Sequence, residues 1–109
     1  PNGKMPQRGT SDSVGYDLFS ATNDIIPAKG QTEFNIKLKI QVPFGTYGRI
    51  APRSGLAKKG IDVMAGVIDH DYQGEIIIIL RNHIDISYSV QIGDKIAQLI
   101  CEVAKNPHI

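Results

Sequence analysis

Two carboxylates and a tyrosine stand close together in the stretch AGVIDHDYQGEI, residues 65–76: Asp69, Asp71 and Tyr72. An apolar pair precedes Asp69, so we expect its carboxylate to be held beside the core, where a carboxylate can act as a general base toward water. An aromatic ring such as Tyr72 beside a turn can stack on a sugar or a base, although a lone tyrosine is more often part of the core. The stretch predicts a rigid hairpin tip, with His70 exposed to solvent.

The stretch GRIAPRSGLA, residues 48–57, combines residue types suited to binding an anion. Pro52 has no N–H to donate, so we expect the strand to end there. Arg53, Ser54 and Gly55 then bring a guanidinium, a hydroxyl and an approachable backbone to the free N–H groups of a helix start. These features predict a phosphate site, and a surface loop with a capping serine is the alternative. No Walker-type lysine is present, which excludes a P-loop.

Two further polar residues lie in suggestive positions. Asp17, in VGYDLFSA (14–21), is expected at a strand end; it is either a surface charge or, near a phosphate chain, an orienting group for a hydrated magnesium ion. Gln98, in GDKIAQLI (93–100), has apolar neighbours and therefore needs hydrogen-bond partners, of which a ligand is one source. Cys101, on an apolar strand, is predicted to be a small buried hydrophobe.

The elements that must position these groups are strands. Residues 34–42 alternate apolar and polar side chains, which predicts a half-buried strand, and residues 83–90 alternate in the same way. The apolar run at 75–80 predicts a strand covered on both faces, and in so small a domain part of that surface is expected to lie against another subunit. Only residues 54–60 favour a helical turn. The pattern predicts an all-β, jelly-roll-like sandwich or barrel with at most one short helix.

Composition limits the possible classes of protein. The 109 residues predict a single domain spanning 1–109, with an irregular lead-in at 1–13. A net charge of +1 argues against a nucleic-acid polymer as partner. No run approaches the roughly 18 apolar residues of a membrane span, so we expect a soluble protein without membrane contact. We expect it to be intracellular, in cytoplasm or nucleus, and the sequence leaves a viral origin open.

Four segments, in the order VGYDLFSA, GRIAPRSGLA, AGVIDHDYQGEI and GDKIAQLI, closely resemble the first four motifs of the trimeric dUTP diphosphatase (dUTPase) family. The resemblance runs from about Val14 to Ile100. It implies a jelly-roll-like homotrimer that hydrolyses dUTP to dUMP and pyrophosphate with Mg²⁺. It also implies that one subunit supplies the nucleoside hairpin and a neighbour supplies the phosphate loop.

The resemblance implies a role for each matching residue. Asp69 would hold the water that attacks the α-phosphorus, and Tyr72 would pack against the deoxyribose and exclude a 2′-hydroxyl. The backbone between Gly66 and Gly74 would read the uracil edge, and Asp17 would support Mg²⁺ through its water shell. The residues that the resemblance assigns to substrate binding are Arg53, Ser54, Gly55, Gly66, Val67, Ile68, Tyr72, Gly74 and Gln98.

The family's fifth motif, a Gly-rich C-terminal arm, is not found in this sequence, which ends in KNPHI. Because that arm normally closes over the nucleotide, we expect a formed pocket with weak turnover, or an arm that lies beyond the recorded sequence. Two alternatives stay open. One is a non-catalytic dUTPase-like module that binds nucleotide or protein. The other is a deoxycytidine triphosphate deaminase of the same fold, which the spacing of Asp69 and Tyr72 disfavours.

Overall fold

The computed structural model describes residues 2–109, and in them the chain is almost entirely β structure. The strands are β1 (Gln7–Arg8), β2 (Tyr16–Phe19), β3 (Asp24–Ile26), β4 (Gln31–Asn35), β5 (Thr46–Ala51), β6 (Ile61–Met64), β7 (Val67–Ile68), β8 (Ile77–Asn82), β9 (Tyr88–Val90) and β10 (Lys95–Val103). The helix α1 (Ser54–Ala57) follows β5. The predicted all-β, jelly-roll-like fold with at most one short helix is confirmed.

The strands form three antiparallel groups. A five-stranded sheet has the order β1-β2-β10-β5-β7, a three-stranded sheet has the order β4-β8-β6, and β3 pairs with β9. Within the five-stranded sheet, β10 pairs with β2 on one side and β5 on the other, so Gln98 stands opposite both Asp17 and Ala51. This register brings three motifs that are distant in sequence to one end of the sheet.

The core lies between the two larger sheets. Both contribute buried side chains, and full burial of one such side chain stabilises the fold by about 1.5–3 kcal/mol relative to exposure. These side chains include Leu18, Phe34, Ile50, Ile61, Ile76, Ile78, Leu80, Ile96 and Leu99. The sheet framework that carries the motifs is therefore held from beneath by continuous apolar packing.

The strand predicted over residues 34–42 is correct in burial and wrong in length. Strand β4 ends at Asn35, because Lys37 adopts a left-handed backbone conformation (φ 61°) that breaks the extended ladder. Phe34, Ile36 and Val42 are nevertheless buried. Alternation therefore identified the inward face but not the end of the strand.

The strand predicted over residues 83–90 is shorter than expected, because only Tyr88–Val90 is extended and paired. Ile84 and Ile86 are exposed. The buried Asn82 amide donates to the Ile86 carbonyl at 2.8 Å, and its oxygen accepts from the Ile84 N–H at 3.1 Å. Side-chain bonds to the loop thus replace the expected ladder.

The run at 75–80 is covered on one face of this chain, not on both. Ile76, Ile78 and Leu80 are buried, whereas Ile77 is 47% exposed. Within the predicted lead-in, the short strand β1 pairs with β2. Cys101 is exposed, which corrects the prediction of a buried thiol. Within residues 2–109, no helix has the length and hydropathy needed to cross a membrane.

Candidate active site

A polar cavity lies at the end of the five-stranded sheet where the strand register brings three of the motifs together; we call it the anion pocket after the role predicted for it. Arg53, Ser54, Gln98, Asp17 and Gly15 line a cavity of about 220 Å³. Helix α1 begins at Ser54, with Arg53 as the N-cap and no side-chain capping bond. The alternative interpretation of Ser54 as a capping serine is therefore wrong, and Ser54 is exposed.

The Arg53 guanidinium is oriented by a carboxylate. Its Nε donates to Asp17 Oδ1 at 3.1 Å, and Lys95 Nζ lies 3.6 Å from Asp17 Oδ2. The Asp17 side chain is only 14% exposed, so this arrangement is held within the sheet. Because Nε is engaged, the two terminal nitrogens of Arg53 are left as a fork suited to a phosphate.

Gln98 is fixed by neighbouring backbone. Its Nε2 donates one hydrogen to the Pro52 carbonyl at 2.9 Å and keeps a second for another acceptor. Gly15 lies against the same amide, since a Cβ built there would stand 2.1 Å from Gln98 Oε1. The protein itself supplies part of the hydrogen bonding that the sequence required for Gln98.

Magnesium has no cage of protein ligands here. Within residues 2–109, no group of three or more His, Cys, Asp or Glu side chains is arranged to hold a metal ion. Both Asp17 oxygens face cationic side chains. The donor set therefore fits only a magnesium ion held chiefly by phosphate oxygens and water, and the water-mediated role of Asp17 stays a prediction.

The stretch 65–76 forms a more elaborate connection than a simple hairpin. Strands β6 and β8 pair with each other in the three-stranded sheet, while β7 between them crosses to pair with β5. The Gly66 carbonyl accepts from the Ile50 N–H at 2.7 Å. Ala65 and Gly66 both have positive φ (60° and 118°), and a Cβ at Gly66 would lie 2.8 Å from the Ile50 oxygen. The start of the segment is therefore pinned closely to β5.

The tip of the segment is a hydrogen-bonded turn. The Tyr72 N–H donates to the Asp69 carbonyl at 3.1 Å, and the Tyr72 hydroxyl donates to the Glu75 carbonyl at 2.8 Å. The ring lies over Gly74, where an added Cβ would come within 2.6 Å of the hydroxyl. Tyr72 is 42% exposed and is not a core residue, and Asp69 is exposed as well. A ring and a carboxylate are thus presented from one constrained turn.

His70 does not stand free in solvent, as the sequence suggested. The ring is half-buried, its Nδ1 lies 3.0 Å from the Val42 carbonyl oxygen, and it packs edge-to-face on Phe44 with centroids 5.3 Å apart. Sequence reasoning missed this contact because its partners precede His70 by more than twenty-five positions in the chain.

One chain does not bring Asp69 and Arg53 together. Asp69 follows Ile68, which pairs with Gly48, so Asp69 lies near the level of Tyr47. From Tyr47 to Ala51 the strand runs about 13 Å before the chain reaches Arg53. The two residues line different cavities. A phosphate group bound by Arg53 therefore lies beyond the reach of Asp69 in the same chain.

A second polar cluster, absent from the sequence-based predictions, stands beside Asp69. The Tyr47 hydroxyl donates to Glu102 Oε1, and Arg49 Nε donates to Glu102 Oε2 at 3.1 Å. The hydrogen bond from Tyr47, followed by that from Arg49, lowers the pKa of Glu102, and the bond to Glu102 raises the pKa of Tyr47. The cluster ties β5 to β10, and its Tyr47 lines the same cavity as Asp69.

Comparison with known proteins identifies the family. A family model described as dUTPase matches residues 1–109. The chain is 48% identical over 106 residues to the probable deoxyuridine 5′-triphosphate nucleotidohydrolase of Schizosaccharomyces pombe, covering 96% of this chain and 76% of that protein. It is 50% identical to the deoxyuridine 5′-triphosphate nucleotidohydrolase of Candida albicans over 100% of this chain and 69% of that protein. The chain belongs to the dUTPase family.

Other dUTPases agree with this assignment. The Arabidopsis thaliana deoxyuridine 5′-triphosphate nucleotidohydrolase is 53% identical over 96% of this chain, which spans 64% of that protein. The dUTPase of phage phi11 of S. aureus shares the fold, with a TM-score of 0.90 and 25% identity over 99% of this chain and 88% of its own. The predicted family, a family of dUTP-hydrolysing enzymes, is therefore confirmed.

Proposed function

We propose that this chain hydrolyses dUTP to dUMP and pyrophosphate at sites formed between copies of itself. The observation that carries the proposal is that Asp69 and Arg53 are each held in a constrained setting, yet lie in separate cavities of one chain. A second copy can supply the missing half of each site. Relatives named deoxyuridine 5′-triphosphate nucleotidohydrolase support the choice of substrate.

The reaction needs a positioned water and a base. Asp69 takes a proton from the water while the water oxygen forms a bond to the α-phosphorus. The bond between the α-phosphorus and the oxygen that bridges to the β-phosphate then breaks. Pyrophosphate leaves with the electron pair of that bond. The exposed Asp69 carboxylate, fixed at the first position of the turn, is the group in this segment whose chemistry suits that role.

Base selection rests on the backbone of Gly66 to Gly74. Uracil and cytosine exchange an acceptor for a donor at position 4, so a fixed backbone group suits one base and not the other. Each unmet buried polar group costs about 1–3 kcal/mol, and two mismatches approach a thousandfold preference. The bond between Ile50 and Gly66, with the pairing of Val67 and Ile68 to β5, supports a backbone rigid enough to discriminate.

The sugar and the phosphates meet different parts of the assembled site. The half-exposed Tyr72 ring packs against the deoxyribose and leaves no room for a 2′-hydroxyl. The neighbouring copy binds the triphosphate with its own Arg53, Ser54, Gly55 and Gln98. Magnesium bound to the phosphates neutralises their charge. The residues of this chain orient the nucleotide and hold the water.

The assembly we propose is a homotrimer, in which each subunit contributes to two sites. The partly exposed outer face of β8, where Ile77 lies, supplies apolar surface for contact between copies. In this arrangement the protein needs no nucleic-acid or membrane partner.

The experiment is to incubate the protein with Mg²⁺ and each of dUTP, dTTP, dCTP and UTP, and to measure pyrophosphate. We expect release from dUTP well above that from the other three nucleotides. Calorimetry with a non-hydrolysable dUTP analogue accompanies the assay. Binding without pyrophosphate release would contradict the enzymatic proposal in favour of a nucleotide-binding module, and neither binding nor release would favour a protein-interaction module.

A further inference from the structure

His70 lies in the turn formed by residues 69–72, next to Asp69, and has no role in the proposed mechanism. His70 lines both the cavity that contains Asp69 and the adjacent cavity that contains Tyr72. Its Nδ1 lies 3.0 Å from the Val42 carbonyl oxygen. Because a carbonyl oxygen only accepts, Nδ1 carries the hydrogen in this contact. The bond ties the second residue of the turn to the segment that precedes β5.

The stretch 65–76, which contains the turn, is attached separately at its start, its middle and its far end. Its start is held by the Ile50–Gly66 hydrogen bond and by the pairing of β7 with β5. Its far end is held at Ile76, whose N–H donates to the Leu38 carbonyl at 2.8 Å and whose carbonyl accepts from the Ile36 N–H at 3.1 Å. Between them, His70 is the residue whose side chain ties the Asp69 end of the turn to the rest of the protein.

Packing reinforces the bond. The His70 ring meets the Phe44 ring edge-to-face, at an interplanar angle of 85°. Phe44 itself is 90% exposed, so its ring covers the histidine from the solvent side and is not part of the core. The arrangement is therefore a local clamp on the turn, and the core can remain intact without it.

We propose that His70 is a positioning residue for Asp69: its Nδ1–H bond to the Val42 carbonyl holds the turn so that the Asp69 carboxylate meets the attacking water. The inference rests on the proposed function. Since the two ends of the segment are attached independently, loss of the bond displaces Asp69 more than it displaces the groups that hold base and sugar. The chemical step suffers more than nucleotide binding.

Two substitutions separate the bond from the bulk of the ring. In His70→Asn the side-chain amide places a donor where Nδ1 stands, whereas in His70→Gln the amide reaches the position of Nε2 and misses the Val42 carbonyl. We expect kcat for dUTP to fall by up to about 100-fold in His70→Gln, with KM changed little, and to be largely restored in His70→Asn. His83→Asn and His83→Gln, at an exposed histidine outside the segment, serve as matched controls and should retain wild-type kinetics.

Hydrogen exchange gives a readout that does not depend on turnover. The Tyr72 amide, which donates within the turn, should exchange faster in His70→Gln and stay protected in His70→Asn, while amides of β8 and β10 stay protected in both. Equal kinetics in the two His70 variants, or equal losses in kcat and in nucleotide affinity, would overturn the proposal. No pyrophosphate from the unsubstituted protein would contradict the proposed function instead, and the exchange comparison would still decide whether His70 holds the turn.

Discussion

Arg53 differs from a surface arginine in having its orientation set by Asp17. The Asp17 carboxylate occupies Nε and is itself shielded from solvent, so the guanidinium loses less side-chain freedom when it binds an anion. Gln98 is prepared in the same way by the Pro52 carbonyl. Arg53 and Gln98 of the anion pocket are thus held by contacts within the protein itself.

Asp69 and Asp71 are exposed carboxylates of one turn, and they allow a matched test of the base. Asp69→Asn keeps the side-chain size but removes the proton acceptor, so kcat for dUTP should fall by about 100-fold or more. Affinity for a non-hydrolysable analogue, measured by calorimetry, should stay within a few-fold of wild type. Asp71→Asn removes the same charge and should retain most of the activity. Similar losses in the two variants would remove Asp69 from its proposed role.

The lowered pKa of Glu102 leads us to expect a specific dependence of the protein's stability on pH. The Tyr47 hydroxyl, and then Arg49, hold the pKa of Glu102 below its usual 4.5. A carboxyl with a lowered folded-state pKa stabilises the fold above its unfolded pKa, and the contribution is lost as the pH falls through the folded pKa. Tyr47→Phe removes the larger cause. The Tm difference between wild type and Tyr47→Phe should therefore be greatest near neutral pH and shrink below pH 4.5.

The control for that measurement is Tyr16→Phe, which alters another partly exposed tyrosine whose ring lies under Arg8. Its Tm difference from wild type should not follow the Glu102 titration. If the Tyr47→Phe difference were constant across the same pH range, the hydrogen bond would not be the cause of the lowered pKa.

At the scale of elements, strand register positions the site more than any single side chain does. β10 lies between β2 and β5, and this alone places Gln98 level with Asp17 and Ala51. On the other side of β5, the short β7 holds the Asp69 turn. The two halves of the proposed site therefore lie near opposite ends of strand β5, and its length keeps them apart.

A substitution at Gly66 tests whether the pairing of β7 with β5 depends on the close approach of the Gly66 backbone to Ile50. Gly66→Ala would place a Cβ 2.8 Å from the Ile50 carbonyl oxygen at a φ of 118°, and backbone atoms cannot move aside cheaply. We expect a loss of about 1–3 kcal/mol in the free energy of unfolding, measured with denaturant. Gly55→Ala is the control, since nothing lies within 4 Å of a Cβ there. It should leave stability unchanged or raise it by up to about 1 kcal/mol.

Local sequence signals predicted which faces are buried but not where strands end. Alternation identified Phe34, Ile36 and Val42 as inward-facing, because burial follows the two-residue period. It could not reveal the left-handed turn at Lys37, which depends on how the chain meets the opposite sheet. Three of the four motifs named the polar residues that gather at the sheet end, among them Asp17, Arg53 and Gln98. Which protein groups these polar side chains contact could not be predicted, because the contacts depend on the register of the strands.

The contacts that sequence could not predict join residues far apart in the chain. The bond from His70 to Val42 and the hydrogen bond from Tyr47 to Glu102 have no periodicity or spacing that would announce them. Cys101 was misjudged for a related reason: an apolar neighbourhood in sequence does not show which side chains of a strand remain exposed. Such features follow from tertiary packing.

At the scale of the whole molecule, the separation of the anion pocket from the Asp69 turn is the basis of our proposal that sites are shared between copies. The partly exposed β8 face with Ile77, together with the exposed Met64 on β6, offers surface for assembly. Cyclic association places a different part of each copy against its neighbour, so complementary halves can meet around a ring. One chain then contributes its turn to one site and its pocket to another.

Mixing two inactive variants tests shared sites directly. Asp69→Asn disables the turn and Arg53→Ala disables the pocket, so each variant alone should release little pyrophosphate from dUTP. When the two are co-refolded in equal amounts, a site between copies is intact if its turn comes from the Arg53→Ala chain and its pocket from the Asp69→Asn chain. Random mixing should therefore restore about a quarter of wild-type activity. A mixture as inactive as its components, with mixed assemblies demonstrated by mass, would show that each chain holds a whole site.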